Sequence, residues 1–319
     1  MISFIVIGKN EGKTLGMTIR SILEYVRYNK LKSYEILYVD SKSTDNSIAI
    51  AKSFNEVKVF EITGEINPAI GRNIGALEAK GDVFIFLDAD MEIEPTFHSI
   101  AFPNGKLEYP FVSGQLKNIF YNKEWKRVDE NYLFSNLKKD QYYPTTGGYF
   151  IITKELWFSV GGMDTRFKRS QDMDLGLRLA QKGILLLRKK ELFVKHHTVH
   201  YLTNARMWKM LFNGNQSYTV SLLYRKHLFN KYIYRLILRQ NYTMVLLFLA
   251  IVFSLLISPY ILSIYFVAII CRSLLQKRVK EDAGILEQII HLFLRDLFSL
   301  VAIFCFFPKE KVLKYQRRG

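Results

Sequence analysis

The chain has 319 residues, 49% of them hydrophobic, which is enough to bury the core of one large domain or two ordinary ones and excludes an intrinsically disordered protein. Its 45 Lys and Arg residues against 29 Asp and Glu residues give a net charge of +16, so we expect a polyanionic partner. Much of the excess positive charge lies after Lys168 and flanks apolar segments. This favours an anionic membrane surface as the partner and argues against nucleic acid. The two cysteines, Cys271 and Cys305, lie in apolar runs and indicate neither a disulfide framework nor a zinc site.

Apolar runs and helical patterns alternate along the first part of the chain. The predicted strands cover residues 3–7, 35–39, 57–62 and 83–87, and the predicted helices cover residues 14–28, 46–54 and 67–79. This alternation predicts an α/β protein with a mostly parallel sheet, whose ligands bind beyond the carboxyl ends of the strands. Three strands end in polar residues at that edge: Asn10 with Glu11, Asp40, and Asp88 with Asp90. No GxGxxG follows the first strand and no GxxxxGKS/T occurs, so neither a dinucleotide site nor a P-loop is predicted.

The middle of the chain is less regular. Aromatic and basic residues alternate over residues 97–143, which indicates either a variable surface that contacts an acceptor or an aromatic core with a charged exterior. A strand and a short helix are predicted within residues 149–160. Asp172 and Asp174 then open a helix, where acidic side chains in the first turn favour the helix dipole and need no catalytic role.

Several motifs in this part of the chain occur in an order that is typical of one family. They are residues 5–7 leading into Asn10-Glu11, residues 37–40 with 43–45, residues 69–75, residues 86–90, Gly147-Gly148, residues 160–164, and residues 171–175 with Arg178. Together they resemble the family 2 glycosyltransferases, over roughly residues 3–200. A single DxD pair is a weak signal, whereas the ordered set is specific.

The resemblance implies a GT-A fold, which is Rossmann-like, and a nucleotide-diphosphate sugar as donor, with a UDP-sugar favoured. It implies that Mn²⁺ or Mg²⁺ assists departure of the diphosphate, since these cations accept one or two carboxylates together with phosphate oxygens. Asp90 would bind the metal, with Asp88 at the ribose or in the metal's water shell. The donor residues implied by the motifs are Asn10, Glu11, Asp40, Arg72, Asp88 and Gly148. Asn73, by contrast, is expected to hold the neighbouring loop.

A histidine near the last strand often completes the metal site in similar enzymes. His196 fits best by spacing, with His197 and His200 as alternatives. In a strand, His196 and His200 would share one face of the sheet and His197 would lie on the other.

Asp172 matches the position of the family's catalytic base. In an inverting transfer, a carboxylate takes the proton of the acceptor hydroxyl as this attacks the anomeric carbon. The family's usual pair here is Glu-Asp, whereas this chain has Gln171-Asp172, so the role of the neighbour is open. Asp174 is the alternative base.

The alternative function is a non-catalytic membrane protein of this fold that binds a nucleotide or scaffolds a partner enzyme.

The last third of the chain is apolar and basic. Residues 240–271 contain no charged residue, and Ser258-Pro259 interrupts them near the middle. A hairpin of two short spans fits this pattern, because it leaves the basic flanks on one side of the membrane, and one long tilted span is the alternative. Residues 285–307 are apolar but contain charges, which favours an interfacial or re-entrant helix over a third span.

These patterns divide the chain into four parts. They are a GT-A catalytic domain (1–203), basic amphipathic interfacial helices (204–240), a membrane segment (241–308) with the hairpin at 242–271, and a basic cytoplasmic tail (309–319). We therefore expect a cell-membrane protein with a cytoplasmic catalytic domain, which transfers sugar to a lipid-linked or glycan acceptor in cell-surface polysaccharide or glycolipid synthesis.

Overall fold

A computed structural model describes residues 1–135, 137–199, 204–214, 217–277 and 284–318. The chain divides into two compact units. The first unit comprises Met1–His200 and Glu310–Gly319, and the second comprises Tyr201–Lys309. The second unit is therefore inserted, in sequence, between the main part of the first unit and its last ten residues.

The first unit is built on one mixed sheet. Its described strands are β1 (Ile2–Gly8), β2 (Tyr34–Asp40), β3 (Val57–Ile62), β4 (Val83–Asp88), β5 (Met91–Ile93), β6 (Phe111–Tyr121), β7 (Arg127–Tyr132), β8 (Gln141–Tyr143), β9 (Phe150–Thr153), β10 (Leu186–Val199) and β11 (Tyr315–Arg317). They lie in the order β11-β3-β2-β1-β4-β9-β6-β10-β5, with β7 on β6 and β8 on β10. Strands β3, β2, β1 and β4 are parallel, as the alternating pattern predicts, while β9 and β11 run antiparallel to their neighbours.

Helices cover both faces of this sheet. They are α1 (Leu15–Tyr28), α2 (Ser47–Lys52), α3 (Pro68–Glu78), α4 (His98–Ala101), α5 (Lys154–Ser159) and α6 (Gln171–Gln181). Alternate residues of β1 enter two separate cores: Phe4 packs in the cluster that contains α1, and Ile5 in the cluster that contains α3. Helix α3 comes so close to the sheet that a Cβ at Gly75 would lie 2.3 Å from Cγ2 of Ile5. The predicted strands and helices of residues 3–90 are confirmed.

Several strands were not predicted, among them β6 and β11. Strand β6 lies in the region interpreted as irregular, because Gly114 and Gln115 interrupt its apolar pattern. The structure explains the glycine, since a Cβ there would lie 2.2 Å from the ring of Phe193 on β10. Strand β11 lies in the expected basic tail, and it pairs antiparallel with the edge strand β3. The tail interpretation of residues 309–319 missed this strand because only three residues form it.

The second unit is helical within the residues described. Its helices are α7 (Asn204–Phe212), α8 (Ser217–Lys226), α9 (Lys231–Gln240), α10 (Tyr242–Leu256), α11 (Leu262–Lys277) and α12 (Ile285–Cys305). Helices α10 and α11 are separated at Ser258, where a short 3-10 turn begins with Pro259. They form an antiparallel pair, because Nη1 of Arg272 near the end of α11 donates to Oγ1 of Thr243 at the start of α10, 2.8 Å away.

One described helix, α12, is long and apolar enough to cross a membrane on its own. Helices α10 and α11 have 15 and 16 residues, which corresponds to about 22–24 Å and is shorter than a hydrocarbon core of about 30 Å. Helix α10 also meets α9 at a bend of 90°, and this bent pair passes the same test when taken as one span. The predicted hairpin is present as a pair of helices, while the number of spans stays a prediction.

Candidate functional site

Polar side chains meet where the parallel strands end. The register places Gly8 at the end of β1 opposite Asp40 of β2, and Ile7 opposite Asp88 of β4. The loop that follows β1 therefore lies between two carboxylates contributed by its neighbours in the sheet. This is the edge at which the sequence predicts the ligand.

The side chains of Asn10 and Asp40 hold one turn. Asn10 has a left-handed backbone (φ 58°), and its Oδ1 accepts a hydrogen bond from the Thr44 amide at 2.8 Å. Asp40 is fully buried, and its two oxygens accept from the Tyr38 hydroxyl at 2.9 Å and the Ser43 amide at 2.7 Å. Both residues thus shape the 43–44 turn at the site, and the predicted nucleoside contacts remain a prediction.

The Glu11 carboxyl lies among other acids. Burial raises its pKa to about 7, and the negative charges of Asp90 and Asp88 add to the effect. The hydroxyl of Thr14 donates to Oε2 of Glu11 at 3.1 Å and opposes the shift. A cation placed near these three acids would offset their mutual repulsion.

A buried arginine faces Asp88. Nη2 of Arg72 lies 2.5 Å from Oδ1 of Asp88 and 3.1 Å from the carbonyl oxygen of Gly148. The guanidinium is only 2% exposed, and its Nε and Nη1 make no hydrogen bond with any described residue. Burial raises the pKa of Asp88 against the lowering effect of Arg72, and Asp90 raises it further. Because its Nε and Nη1 are unpaired with any described residue, Arg72 retains two donors for an anionic ligand.

Asp90 and His196, which the sequence predicts as metal ligands, lie side by side in the structure. Nε2 of His196 lies 3.1 Å from Oδ2 of Asp90, while its Nδ1 lies 2.9 Å from Oδ1 of Asn118. Burial lowers the pKa of His196, but the hydrogen bond and charge of Asp90 outweigh it and the pKa is raised. The other oxygen of Asp90, Oδ1, is buried without a hydrogen-bond partner among the residues described.

This pair fits a divalent cation that also binds the substrate. An unpartnered carboxylate oxygen and an imidazole nitrogen are suitable ligands, and the Asn118 contact would keep the proton on Nδ1 of His196. No group of three or more His, Cys, Asp or Glu side chains in the described part of the chain could hold a metal by itself. Phosphate oxygens would therefore have to supply further ligands, as Mg²⁺ and Mn²⁺ sites commonly require.

The other histidines do not join this pair. His197 lies on the opposite face of β10, where its Nδ1 is 2.9 Å from the Tyr121 hydroxyl and its Nε2 is 3.1 Å from Oε2 of Glu92. His200 lies outside the described residues. Of the two described candidates, only His196 contacts the Asp90 carboxylate, whereas His197 donates its backbone N–H to the backbone carbonyl of Asp90.

The two candidate bases, Asp172 and Asp174, both lie on α6 but have different surroundings. Burial raises the pKa of Asp172, while the nearby charge of Arg72 lowers it. Asp174 is fully buried and pairs with Arg178 at 2.8 Å, and Arg178 also donates to the carbonyls of Val160 and Gly162. The structure therefore gives Asp174 a role in holding the 160–162 turn, which argues against it as a base.

Two further predicted residues have clear positions. Asn73 exchanges hydrogen bonds with the backbone of Met163, at 2.7 and 2.9 Å, so the expectation that it holds a loop is confirmed. Gln171 is buried, and its Oε1 has no hydrogen-bond partner within the described residues. Asn118 was missed, because only the pairing of β6 with β10 brings it beside His196.

Comparisons with known proteins identify the family and the fold. Residues 3–171 match the family described as "Glycosyl transferase family 2". The mannosyltransferase PcManGT from Pyrobaculum calidifontis, solved in complex with GDP-Man and Mn²⁺, superposes with a TM-score of 0.55 at 16% identity, over 94% of this chain and 86% of that one. At this identity the likeness shows the fold, and the expected GT-A architecture is confirmed.

Two relatives match by sequence. The O-antigen biosynthesis protein RfbC of Myxococcus xanthus is 25% identical over 61% of this chain, and an uncharacterized glycosyltransferase of Haemophilus influenzae is 38% identical over 18% of it. The matches span 17% and 25% of the lengths of these relatives. The family match covers more than half of the chain and includes the residues of the sheet edge described above. The chain therefore belongs to glycosyl transferase family 2, a family of transferases.

Proposed function

We propose that this protein transfers a sugar from a nucleotide-diphosphate donor, with a UDP-sugar favoured, to a lipid-linked or glycan acceptor, and that it inverts the anomeric centre. The relative named for O-antigen biosynthesis supports a role in cell-surface polysaccharide or glycolipid synthesis. The observation that carries the proposal is the position of Arg72. Its charge lowers the pKa of both Asp88 and Asp172, so a donor-side and an acceptor-side carboxylate flank one buried cation.

The donor diphosphate would lie against Arg72 and the metal pair. The two free nitrogens of Arg72 can donate to its oxygens, and Asp90 with His196 can hold Mn²⁺ or Mg²⁺. A bound cation would stabilise the negative charge that develops on the departing nucleoside diphosphate. The mannosyltransferase PcManGT, which has a similar fold and was solved in complex with GDP-Man and Mn²⁺, supports this assignment.

Asp172 would act as the base on the acceptor side. Its carboxylate takes the proton from the acceptor hydroxyl while the hydroxyl oxygen bonds to the anomeric carbon and the bond to the diphosphate breaks. Burial raises the pKa of Asp172, which makes the carboxylate a better proton acceptor once it is ionised. The charge of Arg72 opposes this rise in the pKa of Asp172.

The second unit would attach the protein to the membrane from the cytoplasmic side. The end of α10 and the turn that follows it carry exposed apolar side chains, with Leu255 at 83% and Tyr260 at 86%. Helix α9 carries exposed Arg235 and Arg239 and meets α10 at 90°, as expected for a helix that lies in the interface beside an inserted one.

Donor binding and transfer test the catalytic part. We would screen UDP- and GDP-sugars for thermal stabilisation of the purified protein with and without Mn²⁺, and then measure transfer by Asp90→Asn. Glu56→Gln, an exposed carboxylate just before β3, serves as the control. We expect one donor to stabilise the wild type and Asp90→Asn to lose transfer. Equal behaviour of wild type and Asp90→Asn across all donors would support the non-catalytic alternative.

Vesicle flotation tests the membrane part. Replacing both Leu256 and Ile257 by Asn should weaken flotation with anionic vesicles, because each side chain is more than 70% exposed at the turn. Leu77→Asn changes an equally apolar, exposed residue of the first unit and should leave flotation unchanged. Undiminished flotation of the double variant would contradict insertion of this turn.

A further inference from the structure

The helices of the second unit bury a polar cluster of five side chains. The cluster consists of Thr243 on α10, Tyr265 and Arg272 on α11, and Arg295 and Asp296 on α12. Asp296 and Tyr265 are fully buried, and Arg272 is 9% exposed. Such groups are costly between apolar helices unless they are paired or used for binding.

The positive charge of the cluster exceeds its negative charge. Arg295 pairs with Oδ1 of Asp296 at 2.7 Å, and the Tyr265 hydroxyl donates to the other oxygen at 3.3 Å. Arg272 contacts no carboxylate among the residues described. It donates instead to Oγ1 of Thr243 at 2.8 Å and to the Gln240 carbonyl at 2.7 Å.

The two guanidinium groups converge on one point. Nη2 of Arg295 lies 3.3 Å from the same Thr243 oxygen that accepts from Arg272. Two like charges brought together inside a helical bundle repel each other, so an anion bound beside them would be stabilised. The cluster therefore combines two buried cations with a single carboxylate.

A pocket opens beside the cluster. It encloses about 200 Å³ and is lined by Val220, Gln240, Asn241, Arg295 and Ser299. Arg295 contacts Asp296 and Thr243 through its Nε and Nη2, and the lining of the pocket also offers amide and hydroxyl donors. The shape, charge and donors of this pocket suit a small tetrahedral oxyanion.

We propose that this pocket binds a phosphate group through Arg295, with Arg272 supplying the second positive charge. The phosphate is either the headgroup of a lipid or a free phosphate. The exposed apolar surface of α10 and α11 favours the lipid source, because the apolar side chains of Ile264 and Val267 on α11 are 60% and 59% exposed. The lipid source rests on the membrane attachment proposed above, whereas phosphate binding itself depends on neither attachment nor sugar transfer.

The test uses the full chain in detergent micelles without nucleotide. Thermal stabilisation is measured with short-chain phosphatidic acid, with diacylglycerol of the same chains, and with inorganic phosphate. We expect phosphatidic acid to stabilise the protein and diacylglycerol to have no effect. Stabilisation by inorganic phosphate as well would support the site and show that the phosphate alone suffices. Stabilisation by neither phosphate compound would overturn the proposal.

Variants locate the binding. Arg272→Gln keeps an amide donor but removes the charge, and should weaken phosphatidic acid binding about tenfold, the factor expected for loss of a charged partner. Arg27→Gln removes an exposed charge of α1 in the first unit and should leave binding unchanged. Equal weakening by both variants would indicate a general basic surface and would overturn the proposal. Because phosphate can also bind near Arg72 in the first unit, unchanged binding in Arg272→Gln would overturn it too.

A second variant tests the proposal in case Arg272→Gln fails to fold. Asp296→Asn has the same shape and removes the anion that competes with phosphate for Arg295. We expect it to bind phosphatidic acid more tightly than the wild type. Unchanged or weaker binding by a folded Asp296→Asn protein would contradict the proposed site.

Discussion

Oδ2 of Asp88 lies so close to Gly148 that a Cβ at the glycine would be only 2.6 Å away from it. The same glycine gives its carbonyl oxygen to Arg72. We therefore expect Gly148→Ala to displace the Asp88 carboxylate from Arg72 and to weaken donor binding, measured by titration calorimetry. Gly147→Ala is the matched control, because no atom lies within 4 Å of the Cβ position there. Similar donor affinities for the two variants would contradict a role of the Asp88–Arg72 contact in donor binding.

Asp172 and Asp174 should differ in what their loss changes. Asp172→Asn should lower the rate constant for transfer by about 10²–10⁴-fold, the usual contribution of a placed proton acceptor, while donor binding persists. Asp174→Asn should instead lower the free energy of unfolding, by about 3 kcal/mol or more, because Arg178 loses its buried partner. Kinetics and chemical denaturation of both variants check this. A catalytic loss confined to Asp174→Asn would reverse the assignment.

Asn118 should affect metal affinity through His196. Asn118→Ala removes the acceptor at Nδ1 and should weaken Mn²⁺ binding, in the presence of nucleoside diphosphate, by about 10–100-fold. His197→Gln changes the neighbouring histidine, which faces Glu92 and Tyr121, and should leave Mn²⁺ affinity unchanged. Electron paramagnetic resonance of bound Mn²⁺ provides a readout that is independent of turnover. Equal Mn²⁺ affinities of wild type and Asn118→Ala would refute the role of this contact.

Glu11 should make stability depend on pH. Its pKa is raised from 4.5 to about 7 in the folded protein, so between these values the unfolded chain has released a proton that the folded protein still holds. Rising pH therefore lowers the free energy of unfolding across this window, and the effect is complete above the folded pKa. Glu11→Gln should show a smaller decline than the wild type over the same range, measured by thermal unfolding. Parallel stability curves would show that Glu11 does not titrate as described.

The sequence pattern predicted the parallel part of the sheet and the residues at its edge. That success has a physical reason: β1, β2 and β4 are buried on both faces, so their apolar runs are continuous and end sharply at polar residues. Asn118 could not be found in this way. Its strand carries a glycine to admit Phe193, and its position beside His196 depends on a pairing between segments that are far apart in sequence.

The sequence pattern also did not separate the roles of the two acids in the first turn of α6. Asp172 and Asp174 are equivalent as first-turn acids, and the structure distinguishes them by the full burial of Asp174 and its contact with Arg178. The resemblance to a family selected Asp172, and the burial of Asp174 against Arg178 agrees with that choice. Likewise, the polar cluster of the second unit joins residues from three helices, which no local pattern relates.

The last ten residues of the chain belong to the first unit, which affects how this unit can be produced by itself. Strand β11 covers the edge of β3, and Arg318 continues this contact with Glu61. A protein truncated before the second unit would leave the β3 edge unpaired and open to pairing with other molecules. Joining the end of β10 to residue 310 through a flexible linker would keep this edge covered, and such a fusion is the better soluble form for crystallisation and donor screening.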